Sequence, residues 1–147
     1  MREARYHNAF TLIEVLIVVV IMAVLAATVI PQFASSTQDA QESTSKFNLH
    51  MLKSQIELYK AHHLGKAPAL ADGTIAGLTS TTKADGTVGA GDAFPFGPYV
   101  DSIPENPLVG NSTVVAGTGA TVVAGGAGWQ YNPSNGKIWS NTADGIE

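Results

Sequence analysis

The hydrophobic positions of this chain change pattern along its length. From Phe10 the sequence reads FTLIEVLIVVVIMAVLAATVI, 21 residues with a single charge, Glu14. Residues 15–30 hold no charge and one polar side chain, Thr28. A helix of that length reaches about 30 Å, the hydrocarbon thickness of a bilayer. The competing reading is a cleaved secretory signal, whose apolar core is usually about 7–15 residues. This run is longer, and no small-x-small site follows it before Pro31. Residues 35–44 are small and polar, with Asp39 and Glu42 among them. From Ser45 the pattern turns amphipathic. Leu49, Leu52, Ile56 and Tyr59 recur at spacings of 3, 4 and 3 and form one stripe. Phe47, Met51 and Leu58 broaden that stripe, while Lys46, Lys53 and Lys60 occupy another face.

All 15 glycines lie at Gly65 or beyond, and Pro31 is the sole proline before Pro68. The spacing therefore predicts one helix over 10–64, roughly 80 Å long. His62 and His63 close it and Gly65 caps it. Pro31 removes one hydrogen bond, and it either bends this helix or separates two.

Beyond Gly65 the composition shifts. Residues 69–92, rich in Gly, Ala and Thr, read as a long loop that touches down through Ile75 and Leu78. Phe94, Phe96 and Tyr99, set among Pro95, Gly97 and Pro98, read as plugs closing that loop over the core. A ligand-binding aromatic patch is the alternative. Two TVVAG pieces, at Thr113 and Thr121, predict a hairpin of 112–116 with 120–124. A second hairpin joins 128–131 to 137–139 through a turn at 132–136 that contains Asn135-Gly136. Trp129 and Tyr131 share a face, with Ile138 or Trp139 opposite, and should pack on Leu49, Leu52, Ile56 and Tyr59. The fold class is α+β: a long N-terminal helix, transmembrane in its first half, packed on a small C-terminal antiparallel β-sheet.

Charge narrows the function. Only 14% of the 147 residues are charged, against about a quarter in soluble domains. Eight basic and 12 acidic residues give a net charge of −4. An ordinary cytoplasmic enzyme does not fit, and a nucleic-acid partner would need a basic surface. Cysteine is absent, so there is no disulfide or thiol chemistry. No nucleophile elbow, phosphate loop or HExxH motif occurs, and catalysis is not expected. His62 and His63 are adjacent, point about 100° apart on a helix, and have no third metal ligand at a matching spacing. Arg2 and Arg5 precede the apolar run and acidic residues dominate after it, which puts the N-terminus in the cytoplasm and the bulk of the chain outside. Glu14 is the odd residue, because a carboxylate in hydrocarbon costs about 2.5–3.5 kcal/mol. Either it lies near the headgroups or it awaits a cation from another chain.

The ordered motif FTLIEVLIVVVIMAVLAATVIPQF resembles the N-terminus of type IV pilins and of the pseudopilins of type II secretion. The stretches GPYVDSIPENPLVGN and GWQYNPSNGKIW resemble the loop and sheet of the major, G-type pseudopilins. The resemblance implies that a prepilin peptidase cuts between Ala9 and Phe10 and N-methylates Phe10; Ala9 stands where the family usually has Gly. It implies that Glu14 of an incoming subunit pairs with the amino group of Phe10 in its neighbour, and that Pro31 is accommodated as a bend. It divides the chain into a leader (1–9), a membrane and filament-core helix (10–31), an amphipathic continuation (32–64) and a loop-and-sheet region (65–147). Calcium is the cofactor it suggests, with Asp144 and Asn141 as candidate ligands and Asp92 or Asp101 as further ones. The other reading of that end is an acidic tail. The implied function is a filament subunit of type II secretion, held in the inner membrane with its head in the periplasm. Its implied partners are further copies of itself, minor pseudopilins, the peptidase, a platform protein, the secretin machinery and lipid, with no nucleic acid. The alternatives are a type IV pilin for adhesion, motility or DNA uptake, and a monomeric membrane-tethered binding module.

Overall fold

A computed structural model describes residues 10–143, with the backbone alone at Ala34. In chain order the elements are α1 (Leu12–His62), α2 (Ala76–Thr79), β1 (Thr81–Thr82), β2 (Val88–Gly89), β3 (Val114–Ala116), β4 (Trp129–Asn132) and β5 (Lys137–Ser140). The predicted long helix is present and runs through Pro31 without a break. The chain divides into two compact units between Asp39 and Ala40.

The first unit is the apolar part of α1. Its large side chains are exposed all round, from Leu12 to Phe33. An 18-residue window of α1 has a mean hydropathy of 3.0 and buries nothing within the chain, so the helix is long and apolar enough to cross a membrane. Its hydroxyl residues do not interrupt it, because they bond back to the preceding turn. Thr28 donates to the Leu25 carbonyl, Ser35 and Ser36 to Gln32, and Thr37 to Phe33. Each hydroxyl is thereby satisfied inside the helix it would otherwise unsettle.

The second unit is an amphipathic helix packed on a small sheet. Leu49, Leu52, Ile56 and Tyr59 of α1 are buried against Ile75, Leu78, Val114, Trp129, Tyr131 and Ile138. Burial of these side chains is the main favourable term, on the order of 1.5–3 kcal/mol each. Phe47 is 71% exposed and Leu58 45%, so these two do not broaden the stripe as expected. They sit on the opposite azimuth from Leu52 and Ile56, which a count of apolar residues ignores.

At the helix end Gly65 N–H donates to the Lys60 carbonyl at 2.8 Å, a six-residue closure. The left-handed residue that starts this closure is Leu64, with φ 56°, one place before the predicted glycine. Residues 69–92 are more ordered than a loop. Ile75 and Leu78 are fully buried through the short helix α2, and β1 pairs with β2 antiparallel.

The main sheet has the order β3-β4-β5. The β4–β5 hairpin forms as predicted, pairing Trp129 with Ser140 and Tyr131 with Ile138. Ile138, not Trp139, faces the core beside Trp129 and Tyr131. The first predicted hairpin does not form. β3 pairs with β4 in parallel, Val114 against Trp129 and Ala116 against Tyr131, so the sheet is mixed. Residues 117–128 make the crossover that a parallel pair requires. The second TVVA, at 121–124, is not a strand, because side-chain amides take its backbone groups.

Candidate assembly site

Helix α1 begins with a reciprocal cap. Thr11 is its N-cap and Glu14 stands three residues on. Thr11 Oγ1 accepts from Glu14 N–H at 3.3 Å, while Glu14 Oε2 accepts from Thr11 N–H at 2.8 Å and from Thr11 Oγ1 at 2.7 Å. Two backbone donors that the helix cannot satisfy are thereby paired, and a carboxylate lies at the positive end of the helix dipole. The sequence signal is T-x-x-E before an apolar run; a reading of Glu14 as a lone charge overlooks it. Phe10 precedes the cap and is 85% exposed. The start of the helix thus combines an exposed aromatic residue, an anchored carboxylate and an uncovered apolar surface.

The other expected residues are distributed as follows. Ala9 and Asp144 lie outside the described residues. Pro31 is inside α1, where it offers no N–H to the carbonyl of Ala27. Asp92 and Asp101 are exposed on loops. Asn141 is buried, and its amide is already used within the chain. Oδ1 accepts from Val123 N–H and Gln130 Nε2, both at 2.8 Å, and Nδ2 donates to the carbonyls of Val123 and Ala127. Among the described residues no group of three His, Cys, Asp or Glu side chains is placed to hold a metal.

Two of the three loop aromatics, Phe96 and Tyr99, close onto the end of α1, whereas the Phe94 ring lies under Lys83, 4.9 Å from its Nζ. His62 stacks on Phe96 with 5.0 Å between centroids, and its Nδ1 lies 2.9 Å from the Tyr99 hydroxyl. His63 is fully buried, with Nδ1 bonded to the Tyr59 carbonyl and Nε2 2.9 Å from Thr82 Oγ1. Sequence spacing gave no hint that these two histidines hold the loop.

The model of the prokaryotic N-terminal methylation motif matches residues 4–30. Competence protein ComGC of Bacillus subtilis is 35% identical over 66 residues, which is 45% of this chain and 67% of that protein. This chain belongs to the type IV pilin and type II secretion pseudopilin family. Within that family it is similar to the type II secretion system core protein G of Dickeya chrysanthemi, 28% identical over 103 residues, 70% of this chain and 64% of the relative. Core protein G of Pseudomonas aeruginosa is 36% identical over 58 residues, covering 40% of this chain and 41% of the relative. The chain thus spans less than two thirds of these two core proteins G. No solved structure matches it. The pilin-type features are its N-terminal methylation motif, its membrane-compatible apolar helix and its small β-sheet head.

Proposed function

We propose that this family member is the repeating subunit of a type II secretion filament. It is inserted as a membrane precursor, cut between Ala9 and Phe10, methylated on Phe10 and polymerised to help export folded proteins. The observation that carries the proposal is the uncovered apolar surface of α1. From Leu12 to Phe33 its large side chains are exposed on every side, and only lipid or further copies of such a helix could cover them. The same surface serves first as an anchor and later as packing between subunits. Glu14 supplies the register. Removal of the leader creates an amino group on Phe10, and the Glu14 carboxylate of an incoming subunit pairs with it, each charge relieving the desolvation of the other. Kinship with the core proteins G supports the secretion reading.

A second reading, a pilus-like filament for competence, is supported by the 35% identity to ComGC over 67% of that protein, whose name places it in competence. Either way the chain resides in the inner membrane with its head in the periplasm or beyond, and works with a peptidase, a platform protein, minor subunits and an outer pore.

Mass spectrometry of the mature N-terminus tests the processing step. A chain beginning at methylated Phe10 is expected; an intact Met1 or a cut beyond Ile30 would overturn it. Loss of export on deletion, with DNA uptake intact, would favour the secretion reading over the competence reading.

A further inference from the structure

The crossover from β3 to β4 is unusual chemistry for a long loop. It contains five glycines in its 12 residues, and from Asn106 to Gly136 the sequence has no Asp, Glu, Lys, Arg or His. Glycine-rich chain loses much entropy when fixed, so something specific must hold it.

Two buried amides do so. Gln130, on β4, is fully buried; its Nε2 donates to the Thr121 carbonyl at 2.8 Å and its Oε1 accepts from Gly119 N–H at 3.2 Å. Asn141, just past β5, is 4% exposed and takes both the N–H and the carbonyl of Val123, together with the carbonyl of Ala127. Gln130 Nε2 also donates to Asn141 Oδ1 at 2.8 Å, which joins the two into one unit. Steric fit completes the arrangement: a Cβ on Gly119 would lie 2.6 Å from the Trp139 ring, and one on Gly117 2.3 Å from Gln130 Oε1.

A bound cation of the calcium type would need six to eight oxygens, usually including carboxylates. The crossover supplies no carboxylate, and the Asn141 oxygen that such an ion would use already accepts two hydrogen bonds. Among the described residues, Asn141 and the crossover therefore do not fit the calcium site that the family resemblance suggests for this end of the chain; Asp144 lies outside them.

We propose that the Gln130–Asn141 amide pair is a neutral latch that holds the crossover, so that the head keeps its fold without calcium. Both amides use their donors and acceptors on the chain itself, and the latch carries no net charge. Its closure therefore does not depend on the supply of divalent ions outside the membrane.

The test uses the full chain in detergent micelles. Its melting is followed by tryptophan fluorescence in excess EDTA and again in millimolar calcium. Because an ion that binds the folded state raises Tm by mass action, the proposal expects the two curves to agree within about 2 °C. Asn141→Ala and Gln130→Ala are expected to lower Tm by roughly 5–10 °C in both conditions and to open residues 117–127 to limited proteolysis. A wild-type Tm that falls in EDTA and returns with calcium overturns the proposal, and that result does not depend on either variant folding. Variants that melt and resist protease like the wild type would overturn it equally.

Discussion

The imidazole of His63 lies flat on the ring of Tyr59, one turn earlier in α1, with 3.7 Å between centroids and 9° between planes. The same imidazole reaches Thr82 of β1, and its other nitrogen is bonded to the Tyr59 carbonyl. One side chain thus ties the end of the long helix to the segment that follows it. His63→Ala should remove a stacked ring and two hydrogen bonds from a site with no solvent, at a cost of about 2–4 kcal/mol. His62→Ala, at an exposed position, should cost less than about 1 kcal/mol. Urea unfolding followed through Trp129 and Trp139 would separate the two.

Tyr131 is fully buried and donates its hydroxyl to the Pro68 carbonyl at 2.8 Å. Burial pushes its phenol well above the ordinary range, and burial raises Tyr59 and Tyr99 as well. A folded-state pKa above the unfolded value means that the folded chain holds its proton longer. The stabilisation is whole below about pH 10 and is lost as pH rises beyond it. Tyr131→Phe should cost about 1 kcal/mol at neutral pH and make the alkaline decline shallower. An unchanged slope above pH 10 would count against this assignment.

At the start of α1 the cap and the charge can be separated. Thr11→Ala removes the N-cap, worth about 1 kcal/mol, but leaves the carboxylate. Glu14→Gln keeps an oxygen for the Thr11 N–H but removes the charge. If Glu14 sets subunit register by charge, membrane insertion should survive both changes, while filament yield falls sharply only with Glu14→Gln. Membrane and filament fractions quantified separately would show this; equal filament yield from both variants would contradict a role for the charge.

Two glycines with positive φ should differ in consequence. Gly119 has φ 75° and faces the Trp139 ring, whereas Gly65 has φ 80° with open space around its Cβ position. Gly65→Ala should cost only the left-handed penalty of about 1–2 kcal/mol. Gly119→Ala should cost more than that and shift the emission of Trp139. Denaturant midpoints of the two variants provide the comparison.

Phe47 offers a control. Its side chain is 71% exposed on the helix face away from the core, so Phe47→Ser should change stability by no more than about 0.5 kcal/mol. A larger loss in the monomer would mean that the side chain packs after all.

Much of this fold was legible as local pattern. The apolar run from Phe10, the absence of glycine before Gly65 and the 3-4-3 stripe of Leu49, Leu52, Ile56 and Tyr59 each report a property of neighbouring residues, and α1 follows from them. The β4–β5 hairpin was legible for the same reason, since Asn135-Gly136 turns the chain back on itself. The cap formed by Thr11 and Glu14 was also readable, as T-x-x-E, although attention to charge alone passes it over.

The sequence by itself determined where the apolar helix begins, which of its faces is greasy throughout and which is striped, and that the tail of the chain turns at glycines. Tertiary structure alone decided the fate of the two TVVA pieces, which are identical in residues and unlike in conformation. Residues 114–116 found a parallel partner in β4, while Thr121 and Val123 were taken by Gln130 and Asn141. Strand propensity is a weak preference over short segments. Which partner satisfies a backbone N–H or carbonyl depends on side chains many residues away, and only the folded chain brings them together.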